Sequence, residues 1–181
     1  MRIFVEMAKL SFKRQVTYRA ATIAGLLTNF FFGALRASVL IALDGQRQEV
    51  VGISVQEAVT YTGISQAVIG LLSLFSWYEL MYTVYNGTIA TDLIKPMDYY
   101  RYWLAQDLGR AMVQLLLRTI PIMIGYEMLF DITYPEYFNQ WIGLVISIGL
   151  AWLLSFSFRF LVNLTSFWMP NATGIGRFAF I

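Results

Sequence analysis

The chain has 181 residues, of which 58% are hydrophobic and only 13% charged, and it contains neither cysteine nor histidine. An ordinary soluble domain holds about 25% charged residues, so this composition cannot cover a water-facing surface. The missing residue types exclude disulfide frameworks, thiolate chemistry, Ser-His-Asp triads and histidine-based zinc sites, and a net charge of +2 is too small to imply a nucleic-acid partner.

Residues 1–19 carry charges throughout, at Arg2, Glu6, Lys9, Lys13, Arg14 and Arg19, and so lack the uninterrupted apolar core of a cleavable signal peptide. On a helical wheel Arg2, Glu6, Lys9 and Lys13 share one face, while Ile3, Phe4, Met7, Ala8, Leu10 and Phe12 spread over the other. That pattern predicts an amphipathic helix lying in the membrane interface, its basic side chains reaching lipid headgroups.

Four apolar stretches follow, 20–43, 60–82, 104–125 and 141–164, each long enough for a transmembrane helix and apolar around its whole circumference. The predicted class is all-α: a polytopic helical membrane protein whose transmembrane domain covers 20–164. The third stretch opens with Asp107 and Arg110, carries Arg118 inside it, and contains Pro121, which predicts a kink.

Sidedness follows from the connections, because basic residues are retained in the cytoplasm. Arg2, Lys9, Lys13, Arg14, Arg19, Lys95, Arg101, Arg110 and Arg177 fall on one side; the other has Arg47 alone, beside Asp44, Glu49, Glu57, Glu127, Asp131 and Glu136. Both termini are therefore expected in the cytoplasm. The sequons at Asn86, Asn163 and Asn171 lie on or near that side and read as chance matches.

The connection 86–103 is the most informative segment. Asn86-Gly87 breaks the second span, 88–94 has room for about two helical turns, and Lys95-Pro96 ends them, since a residue before proline avoids the helical region. A short helix bounded by breakers suits docking to another protein, with 89–94 as the contact and Tyr99, Tyr100, Tyr102 and Trp103 as interfacial anchors.

Arg36, Glu79, Arg118 and Arg159 lie inside predicted spans. A charge at the bilayer centre costs on the order of 2.5–3.5 kcal/mol, so partners or water are expected. Similar depth predicts that Glu79 pairs with Arg159. Arg36 is expected to snorkel or to reach Asp44 or Glu127, and Arg118 to face the bundle interior. Phe30, Phe31, Phe32, Phe75, Trp77, Trp152, Phe156 and Phe158 are candidates for an apolar lateral path, against ordinary packing and lipid contact. The small side chains Gly143, Ser147, Ser155 and Ser157 suit close helix approach.

Gly87, Ile89, Ala90, Asp92-Leu93-Ile94-Lys95-Pro96, Asp98, Tyr102-Trp103-Leu104-Ala105 and Asp107-Leu108-Gly109-Arg110 resemble the inner connection of type 2 permease subunits of ATP-binding cassette transporters. Phe167-Trp168, Asn171 and Gly174-Ile175 make a second match, and the order of elements agrees along the whole chain. The resemblance implies a permease subunit of an exporter in the bacterial cytoplasmic membrane. It implies a second permease subunit, identical or related, as partner, and separate ATPase subunits docked on the inner loop through Thr88, Ile89, Ala90, Asp92, Leu93, Ile94, Lys95 and Pro96. Residues 1–19 resemble the family's interfacial elbow, with membrane lipid as a further partner. Six spans are implied, so 165–181 is expected to begin a part cut short. No Gly-Lys dipeptide occurs, which excludes a phosphate-cradling loop in this chain. No cofactor, metal or catalytic residue is predicted.

Two other classes stand beside this one. A membrane enzyme acting on lipid-linked substrates would draw on Glu79, Asp92, Asp98 and Asp107, whose spacing gives no obvious convergence. A non-transporting assembly subunit is also compatible with the composition.

Overall fold

The computed structural model describes residues 2–17, 19–44, 49–50, 53–73 and 77–169. Of the expected C-terminal region 165–181, the residues beyond 169 lie outside that set, as do Arg47, Phe75, Asn171, Gly174, Ile175 and Arg177.

Helix α1 (Arg2–Thr17) is followed by α2 (Arg19–Asp44) and a hairpin in which β1 (Glu49–Val50) pairs antiparallel with β2 (Ile53–Ser54). Helix α3 (Val55–Leu72) starts from a reciprocal cap: the Glu57 N–H donates to the Ser54 hydroxyl, and the Glu57 carboxylate accepts from the Ser54 N–H. Then come α4 (Glu79–Tyr85), the short α5 (Ile89–Leu93), α6 (Tyr99–Gln114), a π-helical turn (Leu115–Thr119), α7 (Ile120–Leu129) and α8 (Phe138–Leu164), closed by a 3₁₀ turn (Thr165–Phe167).

Among the described residues three helical stretches are long and apolar enough to cross a membrane: Ala20–Leu43, Tyr99–Leu129 and Phe138–Phe167. They answer the first, third and fourth expected spans. The second, 60–82, is not one helix. Its first part belongs to α3, which begins earlier, at Val55, and ends at Leu72; Ser73 takes a left-handed conformation (φ 46°) and its N–H caps the Ile69 carbonyl. The 18 residues of α3 extend about 27 Å, while Glu79–Tyr85 forms a separate helix beyond the break.

Pro121 deforms the third span in a specific way. Proline lacks an N–H and collides with the carbonyl four residues back. The helix absorbs this through the π turn immediately before, whose closing bond runs from the Ile120 N–H to the Leu115 carbonyl.

Helix α1 lies directly on α6. The Ser11 hydroxyl donates to the Gln106 carbonyl at 2.6 Å, and Gly109 lets the backbones meet, since a Cβ there would collide with the Ala8 carbonyl and stand 2.8 Å from the Phe12 nitrogen. Two apolar clusters bind the rest. Near the hairpin, Ala37, Val59, Ala67, Ile122 and Tyr126 join α2, α3 and α7; at the end carrying α4 and α5, Trp77, Leu80, Tyr102, Trp103, Phe156 and Phe160 join α4, α6 and α8. The hairpin half of α8 leaves Trp141, Ile142, Val145, Ile146 and Leu150 exposed, as a lipid-facing helix does.

Candidate functional site

The α5 end of the bundle concentrates the polar chemistry. Asp107 on α6 is its hub and is 2% exposed. Its Oδ1 accepts from Arg110 Nε at 2.8 Å and from Arg159 Nη1 at 3.1 Å; its Oδ2 accepts from Arg159 Nη2 at 3.1 Å and from the Trp152 indole N–H at 2.8 Å. Arg159 completes its set by donating from Nε to the Ser155 hydroxyl at 3.4 Å.

The same side chains hold the break between α3 and α4. Arg110 donates to the carbonyls of Gly70 (3.2 Å) and Leu71 (3.0 Å) and to the Ser73 hydroxyl, so a guanidinium from another helix closes the last turn of α3. Ser155 donates to the Leu72 carbonyl at 2.7 Å. Asn163 donates to the Trp77 carbonyl at 2.9 Å and accepts from the Met81 N–H at 3.2 Å. The backbone groups left without partners where the helix stops are thus satisfied by α6 and α8, as burial demands.

Beyond this network lies the inner connection. Gly87 adopts φ +72°, a region that favours glycine, and ends α4. Helix α5 spans Ile89–Leu93, inside the 88–94 expected from sequence. Asp92 is buried; Lys95 Nζ donates to its Oδ1 at 2.6 Å and to the Tyr102 hydroxyl at 2.7 Å, which ties the end of α5 to α6. Burial works against the Lys95 charge, but these two bonds outweigh it and hold the ammonium above its ordinary value. Leu93 and Ile94 point outward, 58% and 82% exposed. Thr88 and Thr91 turn their hydroxyls to the carbonyls of Thr83 and Thr88, while Ala90 and Pro96 are exposed. Asp98 caps α6 by accepting from the Arg101 N–H at 3.0 Å.

Of the charges assigned to the spans, the expected Glu79–Arg159 pair does not form. Glu79 sits at the first residue of α4, exposed, and takes Arg14 of α1 at 3.0 Å, whereas Arg159 takes Asp107. Similar depth was the wrong criterion, because the break rotates Glu79 toward α1 while Arg159 faces α6. Arg36 is exposed on α2 and makes no ion pair with Glu127, which instead accepts from the Tyr134 hydroxyl. Arg118 projects from the π turn toward Gly25 of α2 and Gly70 of α3. The aromatic candidates divide: Trp77 and Phe156 are core, Trp152 binds Asp107, and Phe31, Phe32 and Phe158 are exposed.

Asp107, Arg110 and Asn163 were not recognised as a network from sequence. A signal existed, because Ser155, Arg159 and Asn163 recur every fourth residue of α8 and Asp107, Arg110, Gln114 and Arg118 follow at helical spacing. Such stripes in otherwise apolar helices mark one inward polar face. Among the described residues no group of three or more metal-ligating side chains is assembled.

A family model described as an ABC-2 family transporter protein matches residues 25–179, most of the chain. The chain belongs to the ABC-2 transporter family. No curated protein and no solved structure matches it. This ABC-2 protein is accordingly a multi-pass membrane component of an ATP-binding cassette transporter, a class that works with ATPase partners. Its inner connection and the buried Asp107 network both fall within the matched residues.

Proposed function

We propose that this ABC-2 permease is one of two such subunits in an exporter of the bacterial cytoplasmic membrane, that its amino terminus is cytoplasmic, and that separate ATPase subunits dock on α5. The observation that carries the reading is the pair Leu93 and Ile94, 58% and 82% exposed at the end of a five-residue helix braced from behind by Lys95, Asp92 and Tyr102. Two large apolar side chains held out on a rigid base match the anchor residues of a protein interface. Thr88, Ile89, Ala90 and Pro96 complete the docking segment. The excess of basic residues around α1 and the inner connection supports the sidedness, and α3 serves as the remaining crossing.

Coupling is mechanical in this reading. Closure of the ATPases pushes α5; the Lys95–Tyr102 bond hands the push to α6; Asp107 hands it to Arg159 on α8, and Arg110 to the end of α3. Elements joined by buried ion pairs move as a unit, which suits a two-state rearrangement better than gradual bending. Apolar faces left open on α2 and α8 suit a substrate that enters sideways from lipid.

The enzyme reading loses its support. Glu79 and Asp92 share one cleft, but each holds its own cation, Asp98 caps a helix and Asp107 is sealed between two guanidinia.

Replacing Leu93 and Ile94 together with Asp tests the docking surface. Copurification of a Walker-motif ATPase is expected to weaken about tenfold or more, and vanadate-sensitive ATP turnover to fall with it. Unchanged turnover with an intact complex removes the assignment. Because these 181 residues contain no cysteine, a single cysteine at Thr88 reports sidedness: labelling of intact cells by an impermeant thiol reagent would reverse the topology.

A further inference from the structure

An open groove of about 380 Å³ runs between α1 and α6. Phe4, Ala8 and Phe12 of α1 form one wall and Leu108 and Met112 of α6 the other, and Lys9 and Lys13 line it as well. Both lysines are exposed, and their spacing of four residues sets them side by side on α1. The walls are set by helix packing. At Gly109, which also lines the groove, the two backbones come so close that a Cβ has no room, and the Ser11 hydroxyl bonds α1 to the Gln106 carbonyl.

The α6 wall continues as a lipid-facing stripe. Met112 lines the groove, and Leu116 and Ile120 follow at four-residue steps, all three 42–45% exposed on a helical stretch long and apolar enough to cross a bilayer. Charge lies beside the groove. Lys9 has an exposed partner in Glu6 at 3.0 Å, a pair worth little in water, and among the described residues Lys13 is in no ion pair. Like charges four residues apart repel and weaken a helix. An anion shared by the two ammonium groups relieves that repulsion, and each ammonium offers donors to phosphate oxygens.

We propose that this groove seats one anionic phospholipid, its phosphate held by Lys9 and Lys13 and one acyl chain lying between Phe4, Phe12 and Met112 before it continues along Leu116. A soluble anion would leave the apolar walls bare. A peptide following the stripe into lipid would leave its backbone groups unpaired. A zwitterionic lipid brings its own cation toward the lysines and gains less from them. The site selects one lipid position and one head charge, which goes beyond α1 resting in the interface, and it draws neither on ATPase docking nor on the side of the membrane that α1 occupies.

The test is native mass spectrometry of the full-length protein in dodecyl maltoside, titrated with phosphatidylglycerol or phosphatidylcholine and read as the apparent affinity for the first lipid bound. Phosphatidylglycerol is expected to bind about tenfold or more tighter, and the double variant Lys9→Gln/Lys13→Gln to lose that preference. Two comparisons separate a seated lipid from attraction to a basic helix. Lys13→Gln and Arg2→Gln each remove one charge from the same face of α1, but Arg2 does not line the groove, so Lys13→Gln should weaken binding several-fold and Arg2→Gln should change it little. Met112→Trp leaves every charge in place and fills the groove, and it too should weaken binding several-fold; if it does not fold, Val5→Trp, at an exposed position that also lines the groove, decides in the same way. Equal affinity for the two lipids, equal loss in Lys13→Gln and Arg2→Gln, or unchanged binding by the tryptophan variant overturns the proposal. Displacement of phosphatidylglycerol by excess glycerol phosphate, which has the head and no chain, overturns it as well.

Discussion

Arg159 and Arg118 are both guanidinia inside an apolar bundle, and the fold treats them differently. Every nitrogen of Arg159 has an acceptor, the residue is 0% exposed, and its partner Asp107 is tied in turn to Arg110 and Trp152. Arg118, beside Gly70, has a buried Nε with no acceptor and no carboxylate among the described residues. A cation whose three nitrogens each have an acceptor is part of the framework, whereas one that the framework positions and leaves unpaired among the described residues is not. Removing a partner from the first kind should be costly; removing the second kind should cost the scaffold little.

The largest expected effect follows from Asp107→Asn, which leaves two buried guanidinia facing a neutral side chain. A loss of about 3–5 kcal/mol is expected for breaking such a pair, visible as collapse of the monodisperse peak in size-exclusion chromatography or as a large drop in thermal midpoint. Arg118→Leu is the matched comparison, with stability expected unchanged or slightly higher; an equal loss at the two sites would erase the distinction between them. Next in size is Gly109→Val, which pries α1 from α6 without touching either cation. Overpacking of this kind costs about 1–3 kcal/mol, and faster proteolysis of residues 2–17 is the readout.

A smaller effect, about 1 kcal/mol, is expected from Ser54→Ala at the start of α3. Lying far from both arginines, it should add to Asp107→Asn without coupling. Its pH dependence has a definite sign. Accepting the Ser54 N–H and hydroxyl lowers the Glu57 pKa below its ordinary 4.5, so the cap contributes fully above that value and is lost as the pH falls through the lowered one. Lys95 behaves oppositely. Its pKa lies above the ordinary 10.5, so the brace on α5 is fully present below that value and fails only as the pH rises through the raised one. Thermal midpoints of the parent and of Glu57→Ala, which removes the titrating carboxylate, should therefore converge toward low pH.

Some of this was legible in the chain. The spans at 20–43 and 141–164 coincide closely with α2 and α8, because a long apolar run has few other solutions in lipid. Asn86-Gly87 and Lys95-Pro96 bracket α5, since glycine and proline act through their own backbone. The division of 60–82 was not legible, because no glycine or proline marks positions 73–78 and the caps come from elsewhere. Nor was the partner of Glu79, for which depth along a span carries no information about direction around a helix.

The amino-acid sequence by itself determined that this is a helical membrane protein, that its basic residues gather around α1 and the inner connection, and where its short inner helix begins and ends. These properties are sums over neighbouring residues, or features of single backbones, and need no knowledge of the rest of the chain. Only the tertiary structure decided where α3 stops, which acid meets which guanidinium, and that Arg118 has no ion-pair partner among the described residues. Those outcomes rest on bonds such as Arg110 to Gly70 and Asn163 to Trp77, 40 and 86 residues apart, and a buried polar group takes whichever partner packing brings within about 3 Å.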